Sequence, residues 1–201
     1  MKAVLLERSK IRVYGKQGKV LPKGMEEEHT SFLQSLLSND VRSMEEGSAL
    51  YSLWLKQNGM PIEDFFVYKI GNEYILDTEA DAKSIIEEFN KLKLSLRVFF
   101  ENISDKLGHF FIFGDSVSDF VKEYLLRDNG IMVFRNHVRL KEEGYDLMGD
   151  RSRLEELLNG LERISMEEFE DLRIERMIPK IRKELREGFS PLEAGVLNYA
   201  I

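Results

Sequence analysis

NGMPIEDFFVYKIGNEYILD, residues 58–77, is the stretch on which the fold turns. It leaves a turn at NGMP, runs through an apolar segment, turns tightly at Gly71-Asn72 and returns as EYILD. With ALYSLWLK (49–56) ahead of it, the whole reads as an antiparallel meander. In a strand over 63–70 the side chains alternate, so Asp64, Phe66, Tyr68 and Ile70 share one face and Glu63, Phe65, Val67 and Lys69 the other. Asp64 therefore stands beside two aromatics. Desolvation there raises a carboxyl pKa unless a donor compensates. A carboxylate beside aromatic faces also suits a flat heteroaromatic ligand that carries N–H groups. The plain alternative is a solvated acid at the polar end of a strand.

Outward from this meander, KIRVY (10–14) alternates as a short strand, and residues 15–24, rich in Gly with one Pro, read as a loop. A helix over about 27–38 carries the stripe Phe32, Leu33, Leu36 and Leu37, and should pack on the meander. A second helix, 80–93, carries Ala82, Ile85, Ile86 and Phe89, with Thr78 as the expected N-cap. LRVFFEN and GHFFIFG read as strands. A helix from about 116 follows, using Val117, Phe120, Val121 and Tyr124, with Ser116 as its cap. IMVFR, HVRL and GYDLM read as further strands. Ser152-x-x-Glu155 and Ser165-x-x-Glu168 have the form of capping boxes. The first opens a helix with Leu154, Leu157, Leu158 and Leu161 on one face. The second opens a helix that runs to about Met177 and stops before Pro179. The order predicts an α+β fold of antiparallel or mixed sheets with packed helices. Two halves are expected, 1–93 and 94–164, with 165–201 closing back on the domain.

Composition narrows the function. The 201 residues include 13 Phe, 7 Tyr and one Trp, enough to bury a substantial core, and the formal net charge is −7. That charge argues against a nucleic-acid surface as the main function, because phosphate binding needs clustered Lys and Arg. Cysteine is absent, which removes disulfides, thiolate nucleophiles and Cys-ligated metals on this chain. The histidines His29, His109 and His137 have no ligand spacing, so no metal is expected. No apolar run approaches the ~20 residues of a membrane helix, and MKAVLLERSK is too short in apolar residues for a signal peptide. A cytoplasmic protein without a membrane partner is expected. Neither a phosphate loop nor a nucleophile elbow is present.

Five stretches, in order along nearly the whole chain, resemble one known family. FLQSLLSNDV (32–41) is similar to its F-L-Q-x-L-x-T-N-D-V. GSALYS (47–52) is similar to G-x-A-x-Y-S. The run from Asn58-Gly59 through Asp64 into FFVY resembles N-x-G-G-x-x-D-D-L-x-V-Y. RIE (173–175) ahead of Pro179 resembles R-[IL]-E-A-G-x-P, and SPLEAG (190–195) resembles T-P-x-E-A-G. The chain thus resembles the folate-binding family of the glycine-cleavage T protein (aminomethyltransferase) and its YgfZ-type relatives, in their N-terminal part.

The resemblance implies specific roles. Asp64 matches the family acid that contacts folate and supports chemistry at its bridging nitrogen, which makes it the candidate catalytic residue. Tyr51 matches the cavity-lining tyrosine. Phe66 and Tyr68 match the strand positions that follow the acid, and Asp146, in GYDL (144–147), matches an acid at the pterin end. The implied cofactor is tetrahydrofolate or a derivative. The implied partners are a reduced folate, a separate C-terminal domain and iron–sulfur client proteins. There are departures too. No T-G-Y-T-G-E segment is recognisable in 134–143, residues 167–171 read EEFED where the family has an upstream Arg, and Arg176-Met177 replaces Ala-Gly. The K-G-C-Y-x-G-Q-E motif of the YgfZ branch and the C-terminal barrel of both branches do not follow before Ile201, which suggests a truncated, split or reduced gene product. Three functions stay open: a YgfZ-type folate-binding protein linked to iron–sulfur protein assembly or repair, an aminomethyltransferase-like one-carbon enzyme, and a structural or interaction protein that keeps the fold without the pocket.

Overall fold

A computed structural model of the chain describes residues 1–16, 26–125, 130–186, 190–196 and 200, with side chains 124 and 125 left aside. The expected loop at 15–24 lies mostly outside the described residues. The fold is α+β, with two five-stranded sheets among the described residues. Two compact units account for it, and they do not follow chain order: one comprises Met1–Glu7 with Asp105–Pro179, the other Arg8–Ser104 with Lys180–Ile201. The sequence pattern predicts halves at 1–93 and 94–164, with 165–201 closing back.

The unit that begins at Arg8 holds β2 (Ser9–Tyr14), α1 (Glu28–Leu36), β3 (Ala49–Leu55), β4 (Pro61–Ile70), β5 (Glu73–Thr78), α2 (Ala82–Leu92) and β6 (Phe99–Asn102). The sheet order is β3-β4-β5-β2-β6, antiparallel at every junction. The meander forms as expected, closed at Gly71, whose φ of 55° suits a residue without Cβ. One sheet face carries Ile11, Val13, Trp54, Phe65, Val67 and Leu76, and α1 and α2 cover it with Phe32, Leu33, Ile85 and Phe89. The Phe89 ring meets Phe32, Trp54, Phe65 and Phe100 at centroid distances of 5.4–6.0 Å. Such pairs add to what burial alone supplies. Leu37 is buried and Leu36 partly so, as their place on the stripe requires.

The second unit holds β1 (Lys2–Leu5), β7 (Gly108–Phe113), α3 (Val117–Phe120), β8 (Ile131–Arg135), β9 (Gly144–Gly149), α4 (Arg151–Leu157), β10 (Glu162–Arg163) and α5 (Met166–Glu175). Its sheet, β10-β1-β7-β9-β8, is mixed, because β1 and β10 run parallel. One face packs Ala3, Phe110, Ile112 and Leu147 with Val117, Leu154 and Leu158. The other packs Val4, Leu6, Phe111 and Phe113 with Phe169 and Ile178. The short apolar start of the chain is thus a strand, paired through Ala3 to Ile112. No described helix is long and apolar enough to cross a membrane.

Four local expectations are corrected. Thr78 is the last residue of β5, paired with Ser9, and Asp81 caps α2 by accepting from the Ser84 N–H at 2.8 Å. Ser152 lies inside α4, and the cap is Asp150, which accepts from the Arg153 N–H at 2.9 Å. Ser116 makes no side-chain cap bond. It adopts φ 61°, and α3 passes into a π-type turn at Val121–Leu125. HVRL (137–140) is a turn rather than a strand: Asn136 Oδ1 accepts from the Val138 and Arg139 N–H groups and bends the chain there. The box at Ser165 and Glu168 forms as expected.

Candidate functional site

The sheet face opposite α1 and α2 carries the candidate site. Register alone assembles it. Tyr51 pairs with Phe66, Phe66 with Asp77, and Asp77 with Lys10, giving one row across four strands. Asp64 and Tyr68 flank Phe66 on the same face of β4, two residues away on either side. All six side chains are buried. β-Branched and aromatic residues on both faces of β4 explain why this strand is central rather than an edge.

Within the row, Tyr51 Oη donates to Asp64 Oδ2 at 3.0 Å, and the Tyr51 and Phe66 rings lie 5.1 Å apart. Asp64 is 6% exposed, and its Oδ1 is buried with no hydrogen-bond partner among the described residues. Burial pushes the Asp64 carboxyl above its ordinary value. Arg8 pulls it back, Glu63 pushes it up again, the Tyr51 hydrogen bond lowers it and Glu79 raises it. A buried carboxylate with a spare acceptor oxygen is costly, and the ordinary remedy is a donor brought by something else.

Two further groups belong to this face, and sequence reasoning missed both. Arg8 Nε lies 3.1 Å from each carboxylate oxygen of Asp77, and its NH1 donates to Glu79 at 3.1 Å. Its guanidinium carbon stands 5.9 Å from the Phe66 ring centroid. Lys10, also buried, donates through Nζ to the Arg8 carbonyl at 2.7 Å. The register signal in the sequence reaches Asp77 but neither Arg8 nor Lys10. A two-residue turn at Gly71-Asn72 fixes Ile70 opposite Glu73, and counting back places Asp77 opposite Phe66.

Glu63, next to Asp64, faces the other way. It is 1% exposed, pairs with Arg182 and accepts the Asp64 N–H through Oε1 at 3.2 Å. It also lines a surface groove of about 680 Å³, with Trp54, Ile85 and Glu88. That groove contains none of the residues predicted for the site.

Asp146 sits in the other compact unit, on β9, fully buried. His109 Nε2 and Arg139 Nε each approach its Oδ1 at 2.9 Å, and Asn136 donates to Oδ2 at 2.6 Å. Burial alone would push this carboxyl up, but Arg139, His109 and Asn136 outweigh it and hold Asp146 below its ordinary value. Both of its oxygens are engaged within its own unit, unlike those of Asp64. Among the described residues no group of three or more His, Asp or Glu is placed to hold a metal ion.

Comparison with known proteins places this geometry in context. Residues 17–147 match the family model described as the GCVT N-terminal domain. An uncharacterized protein of Aquifex aeolicus is 56% identical over 125 residues, covering 61% of this chain and 84% of that one. The aminomethyltransferase of Oceanobacillus iheyensis is 28% identical over 92% of this chain and 57% of its own length, and that of Caldanaerobacter subterraneus 26% identical over 89% and 54%. The chain therefore spans little more than half the length of these aminomethyltransferases. The crystal structure of the glycine cleavage system aminomethyltransferase T from Bartonella henselae superposes with a TM-score of 0.78 over the whole chain and 57% of that structure, at 14% identity. That likeness is one of fold. With 131 of 201 residues inside the family model, the chain belongs to the GCVT N-terminal domain family.

Proposed function

We propose that this chain is the folate-holding part of an aminomethyltransferase-like one-carbon system. The observation that carries it is the spare Asp64 Oδ1, buried beside Tyr51 and Phe66. Family membership and the named aminomethyltransferases support this reading over the iron–sulfur-linked one. The residues fit the group: the orphaned oxygen can accept from a ring N–H, and the aromatic rings beside it offer faces for a flat heterocycle. Bound there, a reduced folate would supply the nitrogen that takes up a one-carbon unit. The chain's own contribution is positional. Tyr51 fixes the Asp64 carboxylate through Oδ2, which leaves Oδ1 to orient the ligand or hold a proton near it. Tyr68, on the same strand face, extends the apolar wall. Asp146, saturated by its neighbours, serves the second unit's integrity in this reading.

Titration calorimetry of tetrahydrofolate into the wild type and Asp64→Asn tests the reading. A hydrogen bond to a charged acceptor is worth roughly 1.5–3 kcal/mol, so the variant should lose about tenfold or more in affinity. Equal affinity in both would remove Asp64 from the site. Absence of heat in both, with the remaining C-terminal portion of an aminomethyltransferase supplied in trans, would favour a structural or interaction role.

A further inference from the structure

The charges around Asp64 can be paired off. Arg182 pairs with the buried Glu63, and Lys180 lies 2.8 Å from Glu79. Arg8 is shared. Its Nε faces both oxygens of Asp77, and its NH1 reaches Glu79. These hydrogen bonds, a further one from NH2 to the Asp77 carbonyl, and the Phe66 ring leave this guanidinium little rotational freedom, and it is largely buried. A fixed, desolvated charge acts over several ångströms with far less screening than a mobile surface one. Lysine could not reproduce this arrangement, because an ammonium lacks the planar fork that meets two carboxylates at once.

The titratable and charged groups around Asp64 are Glu63 beside it on β4, Tyr51 on β3, Asp77 on β5, Glu79 just after β5, and Arg8 and Lys10 at β2; of these Arg8, Glu63, Tyr51 and Glu79 shift its titration. Among them Arg8 is the cation placed over Phe66, the residue that separates Asp64 from Asp77. We propose that Arg8, clamped by Asp77, is a positioning residue that keeps the Asp64 carboxylate charged for an incoming N–H donor. Burial works against that charge, and the field of Arg8 is the chief force opposing burial. This role rests on the folate reading only for the identity of the donor.

The test is a titration of the Asp64 carboxyl by carbon-13 NMR in wild type, Arg8→Gln, Arg8→Met and Arg8→Lys, with the signal assigned by its loss in Asp64→Asn. Arg8→Met retains the apolar stem over Phe66, so one neutral variant remains if the other does not fold. Both neutral variants should move the Asp64 midpoint upward, and Arg8→Lys should restore part of the shift. An unchanged or lowered midpoint in the neutral variants would overturn the role. In parallel, tetrahydrofolate affinity of the neutral variants should fall about tenfold at neutral pH and recover as pH rises, because deprotonation restores the acceptor. Moved midpoints with no tetrahydrofolate binding in any protein would remove the folate reading and leave the role of Arg8 standing. Binding with unmoved midpoints would do the reverse.

Discussion

Tyr51 and Asp64, on adjacent strands but two residues out of register, are joined by a hydrogen bond of 3.0 Å from Oη to Oδ2. That bond supports the ionised carboxylate and competes directly with burial. Tyr51→Phe should therefore raise the Asp64 midpoint, with little change in the ring packing against Phe66. The carboxyl carbon shift followed against pH measures it.

Asp64 should cost the protein stability. Its folded pKa is raised above the ordinary 3.8. The neutral form is therefore favoured by folding, and that advantage is full below 3.8 and lost as pH rises through the folded value. Asp64→Asn, which never carries the charge, should melt higher than wild type at neutral pH. The gap should narrow as pH falls toward 3.8. Thermal melts of both proteins across that range give the sign directly.

Asp146 should behave in the opposite way. Its folded pKa lies below the ordinary 3.8, so its contribution is present above that value and lost as pH falls through the folded one. Asp146→Asn leaves Arg139 buried without its counter-charge, at a cost of roughly 3–5 kcal/mol at neutral pH. Denaturant unfolding of wild type and variant should show the difference shrinking in strong acid.

The corrected caps make a sharper comparison. Asp150→Ala should cost about 1 kcal/mol, as should Asp81→Ala, because each removes the acceptor for a helix N–H. Ser152→Ala, one residue inside α4 and exposed, should change stability by less than about 0.5 kcal/mol. Urea midpoints of the three variants decide between the two cap assignments for α4.

Much of the unit around β4 was legible because its signals are local. The turn at Gly71-Asn72, the alternation of 63–70 and the stripe of Phe32, Leu33 and Leu37 each act within a few residues, and together they fix which face Asp64 occupies. Arg8 was illegible as a site residue because it lies outside any periodic run and acquires its role only when β2 pairs with β5. The cap errors at Thr78 and Ser152 have one cause. Ser and Thr offer the same hydroxyl as a true cap, but a nearby Asp, with a stronger acceptor, took the position in both helices. HVRL resembled a strand by its alternation, and the Asn136 side chain turned the backbone instead. The strand Lys2–Leu5 was hidden because four apolar-rich residues have no partner signal within reach.

That first strand has a consequence for synthesis. Ala3 leaves the ribosome long before Ile112, its partner, exists, and the unit beginning at Arg8 is interposed between them. Its meander is built from short-range turns, so it can close while Lys2–Leu5 still waits as an unpaired edge. The chain crosses between its compact units near residues 7, 104 and 179. A single cut cannot release either unit whole. The path of the chain thus separates two events: the meander bearing Asp64 closes on short-range turns, and the sheet that holds Asp146 is completed only when Lys2–Leu5 pairs with Gly108–Phe113 and Glu162–Arg163.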